Sequence, residues 1–87
     1  MARFILLHEK DNVAVALEPA KSGDPAALSD GRTLKVNQEI PFAHKIAIRA
    51  IKKGEKVIKY GEVIGEASKD IVAGDHVHIH NIRSLRG

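Results

Sequence analysis

Near the end of the chain, His76-Val77-His78-Ile79-His80-Asn81 places three of five histidines at every second position. Side chains alternate faces along a strand, so an extended segment puts His76, His78 and His80 on one face and Val77 and Ile79 on the other. Imidazole can ligate a metal, move a proton or hold an anion near neutral pH. Same-face neighbours on a strand are about 6.6–7 Å apart. Adjacent pairs can converge on one ion, but three from one straight strand converge with difficulty, and an exposed face pairing with carboxylates or water is the alternative. Two further groups carry chemistry. His44-Lys45 precedes an alternating run, Ile46-Ala47-Ile48; the pair can face a cleft and bind a carboxylate, but spacing alone favours a surface loop pair. Lys59-Tyr60-Gly61-Glu62 holds the single tyrosine among charges. Its phenol can donate to an anion or shuttle a proton, or pack as a half-buried ring. His8 reads as a strand-end surface residue.

The elements that must position these groups are short. Arg3–Leu7 and Asn12–Leu17 read as two strands joined by the polar Glu9-Lys10-Asp11, a hairpin pattern. Residues 19–31 are rich in Pro, Gly, Ser, Asp and Ala and read as a surface loop, with one helical turn as an option at Pro25-Ala26-Ala27-Leu28. Strand character returns at Thr33–Val36, at Lys45–Ile51 and through Val57–Gly65, where Gly61 and Gly65 mark bends. No sustained 3.6-residue apolar stripe with caps appears. The chain reads as mainly β.

An internal repeat runs through the second half. Ile51-Lys52-Lys53-Gly54-Glu55-Lys56-Val57 matches Ile71-Val72-Ala73-Gly74-Asp75-His76-Val77. Each copy predicts a glycine turn leading into a strand with an inward valine. The match equates His76 with Lys56, which makes His76 the least distinctive of the three clustered histidines.

Composition bounds the rest. The 87 residues fit one domain, 1–87, with a modest aliphatic core; there is no Trp, and Phe4, Phe42 and Tyr60 are the only aromatics. Cysteine is absent, which excludes disulfides and thiolate chemistry and fits a cytoplasmic location. The first eight residues hold too short an apolar run for a signal peptide or membrane helix. Residues 1–30 carry three basic and five acidic side chains, and residues 31–87 carry eleven and six. That excess suits an anionic partner. Nucleic acid is disfavoured because stacking aromatics are nearly missing. No phosphate-binding glycine loop, nucleophile elbow or zinc-protease helix appears. A small β domain also has little room for a deep pocket, so the chain reads as part of an active site rather than all of it.

The segment from His44 to Ile82, with His44-Lys45, Ile58-Lys59-Tyr60-Gly61 and His76-Val77-His78-Ile79-His80-Asn81 at these spacings, resembles the SAF-type N-terminal domain of the altronate/galactarate dehydratase family. That family includes the small subunit of sulfolactate sulfo-lyase. Asp11–Leu17 resembles the same domain's first hairpin, and the likeness is weakest over residues 18–39.

The resemblance implies a β-clip fold of the antifreeze-like type and a small subunit or N-terminal domain acting with a large catalytic subunit. It implies an anionic hydroxy-acid substrate, loss of water or of sulfite, and a divalent metal in the complete enzyme, iron or manganese. Carried over by position, it points to His44, His78 and His80 as catalytic. Lys45, Lys59, Tyr60 and Asn81 follow as substrate-binding, with Asn81 orienting a neighbour. His78 and His80 are the metal candidates. A β-clip module that binds sugar acids or a metal without catalysis is the competing reading.

Overall fold

The structure, a computed structural model, describes residues 1–85; Arg86 and Gly87, the last two residues of the expected domain span, lie outside the described residues. Nine short strands are present: β1 (Ala2–Ile5), β2 (Val13–Ala16), β3 (Pro25–Leu28), β4 (Thr33–Lys35), β5 (Lys45–Ala47), β6 (Lys56–Lys59), β7 (Glu62–Ala67), β8 (His76–Val77) and β9 (Ile82–Arg83). One sheet has the order β4-β3-β1-β2-β5-β8 and the other β6-β7-β9. The described residues contain no helix, as the absence of a helical stripe predicted. Among the described residues, no helix is long and apolar enough to cross a membrane.

Alternation sorts the strands between two cores. In β2, Ala14 and Ala16 enter one core with Phe4, Leu28, Ile40 and Ile46, while Val13 enters a second with Ile51, Val57, Ile71 and Val77. Strand β5 divides likewise, Ile46 to the first core and Ala47 to the second. The central pair β2–β5 is therefore a wall shared by both cores, and its edge is the floor on which the histidines stand.

Two expectations are corrected. Pro25–Leu28 is a strand, not a helical turn, and pairs in parallel with β1 through Ala2–Ala26, Arg3–Ala27 and Phe4–Leu28. Four residues cannot settle a helix alone, and an open edge of β1 offered ladder partners. The histidine run is also not one strand. Strand β8 ends at Val77, and residues 78–81 turn the chain, with the Asn81 and Ile82 amides donating to the His78 carbonyl (3.1 Å each). Ile79 consequently does not share the buried face of Val77; it is 82% exposed.

The repeat is real and has four copies rather than two. Ala20–Ala26 and Ile40–Ile46 form the same turn as Ile51–Val57 and Ile71–Val77, and bridges join Ala20 to Ile40 and Ile51 to Ile71. In each copy the fifth residue donates its backbone N–H to the carbonyl three residues earlier, at 2.9–3.1 Å. The fourth residue is left-handed throughout: Gly23, Gly54 and Gly74, and Ala43 at φ 69°. Glycine at position 74 is also required by space, since a Cβ there would lie 2.2 Å from the Lys35 carbonyl oxygen. The last residue of every copy (Ala26, Ile46, Val57 and Val77) is fully buried.

Candidate functional site

The four turns explain why a histidine is available at position 44. In the other copies the fifth residue is an acid whose carboxylate accepts the N–H of the second residue: Asp24 from Lys21 (2.9 Å), Glu55 from Lys52 (2.7 Å) and Asp75 from Val72 (3.0 Å). In the Ile40–Ile46 copy the second residue is Pro41, which has no N–H to satisfy. The fifth position there is released from capping, and it carries His44.

Sheet register brings His44 to the C-terminal histidines. Strands β5 and β8 pair antiparallel with Lys45 opposite Val77 and Ile46 opposite His76. One step further sets His44 opposite His78. Their rings stack with centroids 4.2 Å apart, and His44 Nδ1 lies 2.9 Å from His76 Nε2. One of those two nitrogens must carry the shared proton. The rings of His76 and His78 are 5.6 Å apart and nearly parallel. One ring nitrogen from each of His44, His76 and His78 falls in a group whose members all lie within 4.8 Å of one another.

The backbones beneath these rings are pinned. The His76 N–H donates to Gln38 Oε1 (2.8 Å). Asn81 clamps two histidines at once: its Oδ1 accepts the His78 N–H (3.0 Å) and its Nδ2 donates to the His76 carbonyl (2.8 Å). Asn81 is 4% exposed. Both groups of its side-chain amide are thus engaged by the histidine backbones.

Among the expected site residues, His44 and His78 come together, and His76 joins them. His80 sits beside His76, ring centroids 5.2 Å apart and tilted by 38°, on the side of Asp75 and Asp70. Lys45 adjoins the cluster and Lys59 lies near Lys45; each is half-buried, and no described ion pair includes either. Tyr60 stands apart. It forms the tip of the β6–β7 hairpin with Gly61, both at positive φ, and is 70% exposed. That turn is of the mirror-image type that hairpins favour, and the buried Asp11 carboxylate accepts its two amides, Tyr60 N–H at 2.9 Å and Gly61 N–H at 2.8 Å.

Crowding sets the charge state. The His76 ring is pushed down to about 4, by partial burial first and then by the charges of His80, His44, His78 and Lys45. His78 is lowered by burial and then by His44, Lys45 and His80. Lys45 is lowered by burial and by the charge of Lys59 beside it. At neutral pH His76 and His78 are thus neutral imidazoles, with Lys45 beside them.

The sequence argument demoted His76 because the repeat equates it with Lys56. The missed signal was the antiparallel sum of positions: if 46 faces 76, then 44 faces 78, and two histidines two apart must both border His44.

Known proteins are similar to this chain in sequence. The family model described as the altronate/galactarate dehydratase SAF domain matches residues 2–85. The altronate dehydratase of Escherichia coli (strain K12) is 45% identical over 82 residues, 94% of this chain and 16% of that protein. That of Bacillus subtilis (strain 168) is 39% identical over 84 residues, 97% of this chain and 17% of that protein. The chain thus spans about a sixth of the length of these two relatives. The (2R)-sulfolactate sulfo-lyase subunit alpha of Chromohalobacter salexigens is 35% identical over 93 aligned residues, with 99% of each chain covered. Matched across nearly its whole length, the chain belongs to the family of altronate/galactarate dehydratase SAF domains.

Proposed function

We propose that this chain is the SAF module of a sugar-acid hydro-lyase of the altronate/galactarate type, working in the cytoplasm as a small subunit or N-terminal domain with a large catalytic subunit. The observation that carries the reading is the match to that family from residue 2 to residue 85. The cluster geometry supports it: the imidazoles of His44, His76 and His78 stand together with Lys45 beside them and no carboxylate in the group.

Elimination from a hydroxy acid begins with a proton α to a carboxylate and ends with a protonated leaving hydroxyl. The α-proton is weakly acidic, so the enolate-like charge must be stabilised. In the complete enzyme a bound divalent metal, iron or manganese, supplies a Lewis acid for that charge. The residues here do the rest. Lys45 and Lys59 hold a substrate carboxylate. His44 and His78 accept or return a proton at their ring nitrogens, and His80 delivers one from the Asp75 side. Asn81 keeps the His76 and His78 backbones in place. The exposed Phe42 and Ile79, which flank His44 and His78 in sequence, meet the large subunit.

The end-to-end match to a sulfo-lyase alpha subunit favours a second reading, in which the leaving group is sulfite rather than water. One experiment separates them. The chain is co-expressed with the large-subunit homologue of its own genome, and the complex is assayed with altronate, galactarate and sulfolactate. Release of a 2-keto-3-deoxy acid from a sugar acid supports the hydro-lyase; sulfite release supports the second reading. Binding of sugar acid with no turnover in any mixture would leave only a binding module and end both.

A further inference from the structure

We infer that His44, His76 and His78 form a three-imidazole centre for a single divalent transition-metal ion, with His76 an obligatory ligand and His80 outside the set. The inference rests on the cluster's geometry and not on the lyase reading.

Three observations converge. The first is distance. Nitrogens bound to one tetrahedral ion at about 2.0–2.1 Å are roughly 3.3 Å apart. His44 Nδ1 and His76 Nε2 stand at 2.9 Å, and all three ligand nitrogens lie within 4.8 Å. The rings are stacked within 24° of parallel, so binding one ion turns them until their in-plane lone pairs meet.

The second is support from the backbone. His44 lies in a hydrogen-bonded turn, His76 in a strand anchored to Gln38, and both C-terminal ligands are clamped by Asn81. Sites hold metal when the first ligands are fixed by what surrounds them. The ligands come from two segments distant in sequence, at the ends of the paired β5 and β8, which avoids the poor convergence of three histidines on one strand.

The third is the donor set. No carboxylate belongs to the group. Three imidazole nitrogens suit zinc, cobalt, nickel and iron(II), whereas manganese and magnesium favour carboxylate oxygen. Three protein ligands leave a fourth position facing solvent, open to a water or a carboxylate oxygen.

Titration of the 87-residue chain with Co²⁺, read by visible absorption, and with Zn²⁺, read by calorimetry, tests this at pH 7.5. One ion per chain is expected, with intense tetrahedral cobalt bands. His76→Ala should weaken binding at least tenfold and abolish those bands, while His80→Ala and His8→Ala change affinity less than threefold. His76→Gln serves where the alanine variant loses its circular dichroism. A wild-type chain that binds neither ion, a His76 variant with wild-type affinity, or equal losses in the His76 and His80 variants would overturn the centre. Metal binding without lyase activity in the assembled complex would instead remove the lyase reading and leave the centre standing.

Discussion

Replacing Asn81 with alanine removes two hydrogen bonds that no neighbouring side chain can restore: the acceptor for the His78 N–H and the donor to the His76 carbonyl. An orphaned buried backbone group costs about 1–3 kcal/mol. Both histidines are half-buried, so water reaches part of what is exposed, and the lower end applies: about 2 kcal/mol for the pair. A domain of this size is stable by roughly 4–13 kcal/mol, so the loss is large. Thermal unfolding should shift down by about 8–16 °C, and the urea midpoint by roughly 1–2 M. Asn81→Asp adds a sign. Its carboxylate keeps the acceptor for His78 but repels the His76 carbonyl; protonated, it becomes a donor again. Its deficit relative to wild type should therefore shrink as pH falls through the carboxyl range. A loss below about 0.5 kcal/mol for Asn81→Ala, or a deficit for Asn81→Asp that does not change with pH, would refute the clamp.

Two further outcomes follow from the same contacts. His76 should titrate near 4 by NMR, well below its ordinary 6.5, and His80→Ala should raise it, since the charge of His80 is the largest neighbouring contribution after burial. The folded state then binds fewer protons than the unfolded chain between those values, so the stability tied to His76 is full above about 6.5 and is lost as pH falls towards 4; titration near 6.5 in the folded chain would contradict this. At the turns, Ala43→Gly should leave stability unchanged or raise it by up to about 1 kcal/mol, because Ala43 holds φ 69°. Gly74→Ala should instead cost more than about 2 kcal/mol, as its Cβ would meet the Lys35 carbonyl oxygen. Equal effects at the two positions, measured by urea unfolding, would refute the steric account.

What the sequence made legible was governed by local rules. Alternation placed Val13 and Ala14 on opposite faces, and the structure sends them to different cores. The Gly-acid turn signal located two of four corners; the other two were hidden because Ala43 stands where glycine is usual and because the copy at Ala20 leads into a proline. Pro25–Leu28 became a strand only because β1 lay beside it, a non-local cause that no four-residue window contains. The site followed the same division. His44 and His78 were visible as chemistry-bearing residues, but the company of His76 depended on the register of β5 against β8. Asn81 looked like a polar neighbour of the histidines, and only the fold shows both of its amide groups turned inward.

The account's central claim is that this histidine face is the chain's share of a lyase site completed by the large subunit. The most direct measurement is the steady-state release of keto acid by the assembled complex, comparing the wild-type chain with a His44→Ala/His78→Ala chain shown by gel filtration to assemble equally. A fall in kcat of at least a hundredfold is predicted. A double variant that assembles and turns over at the wild-type rate would contradict the claim.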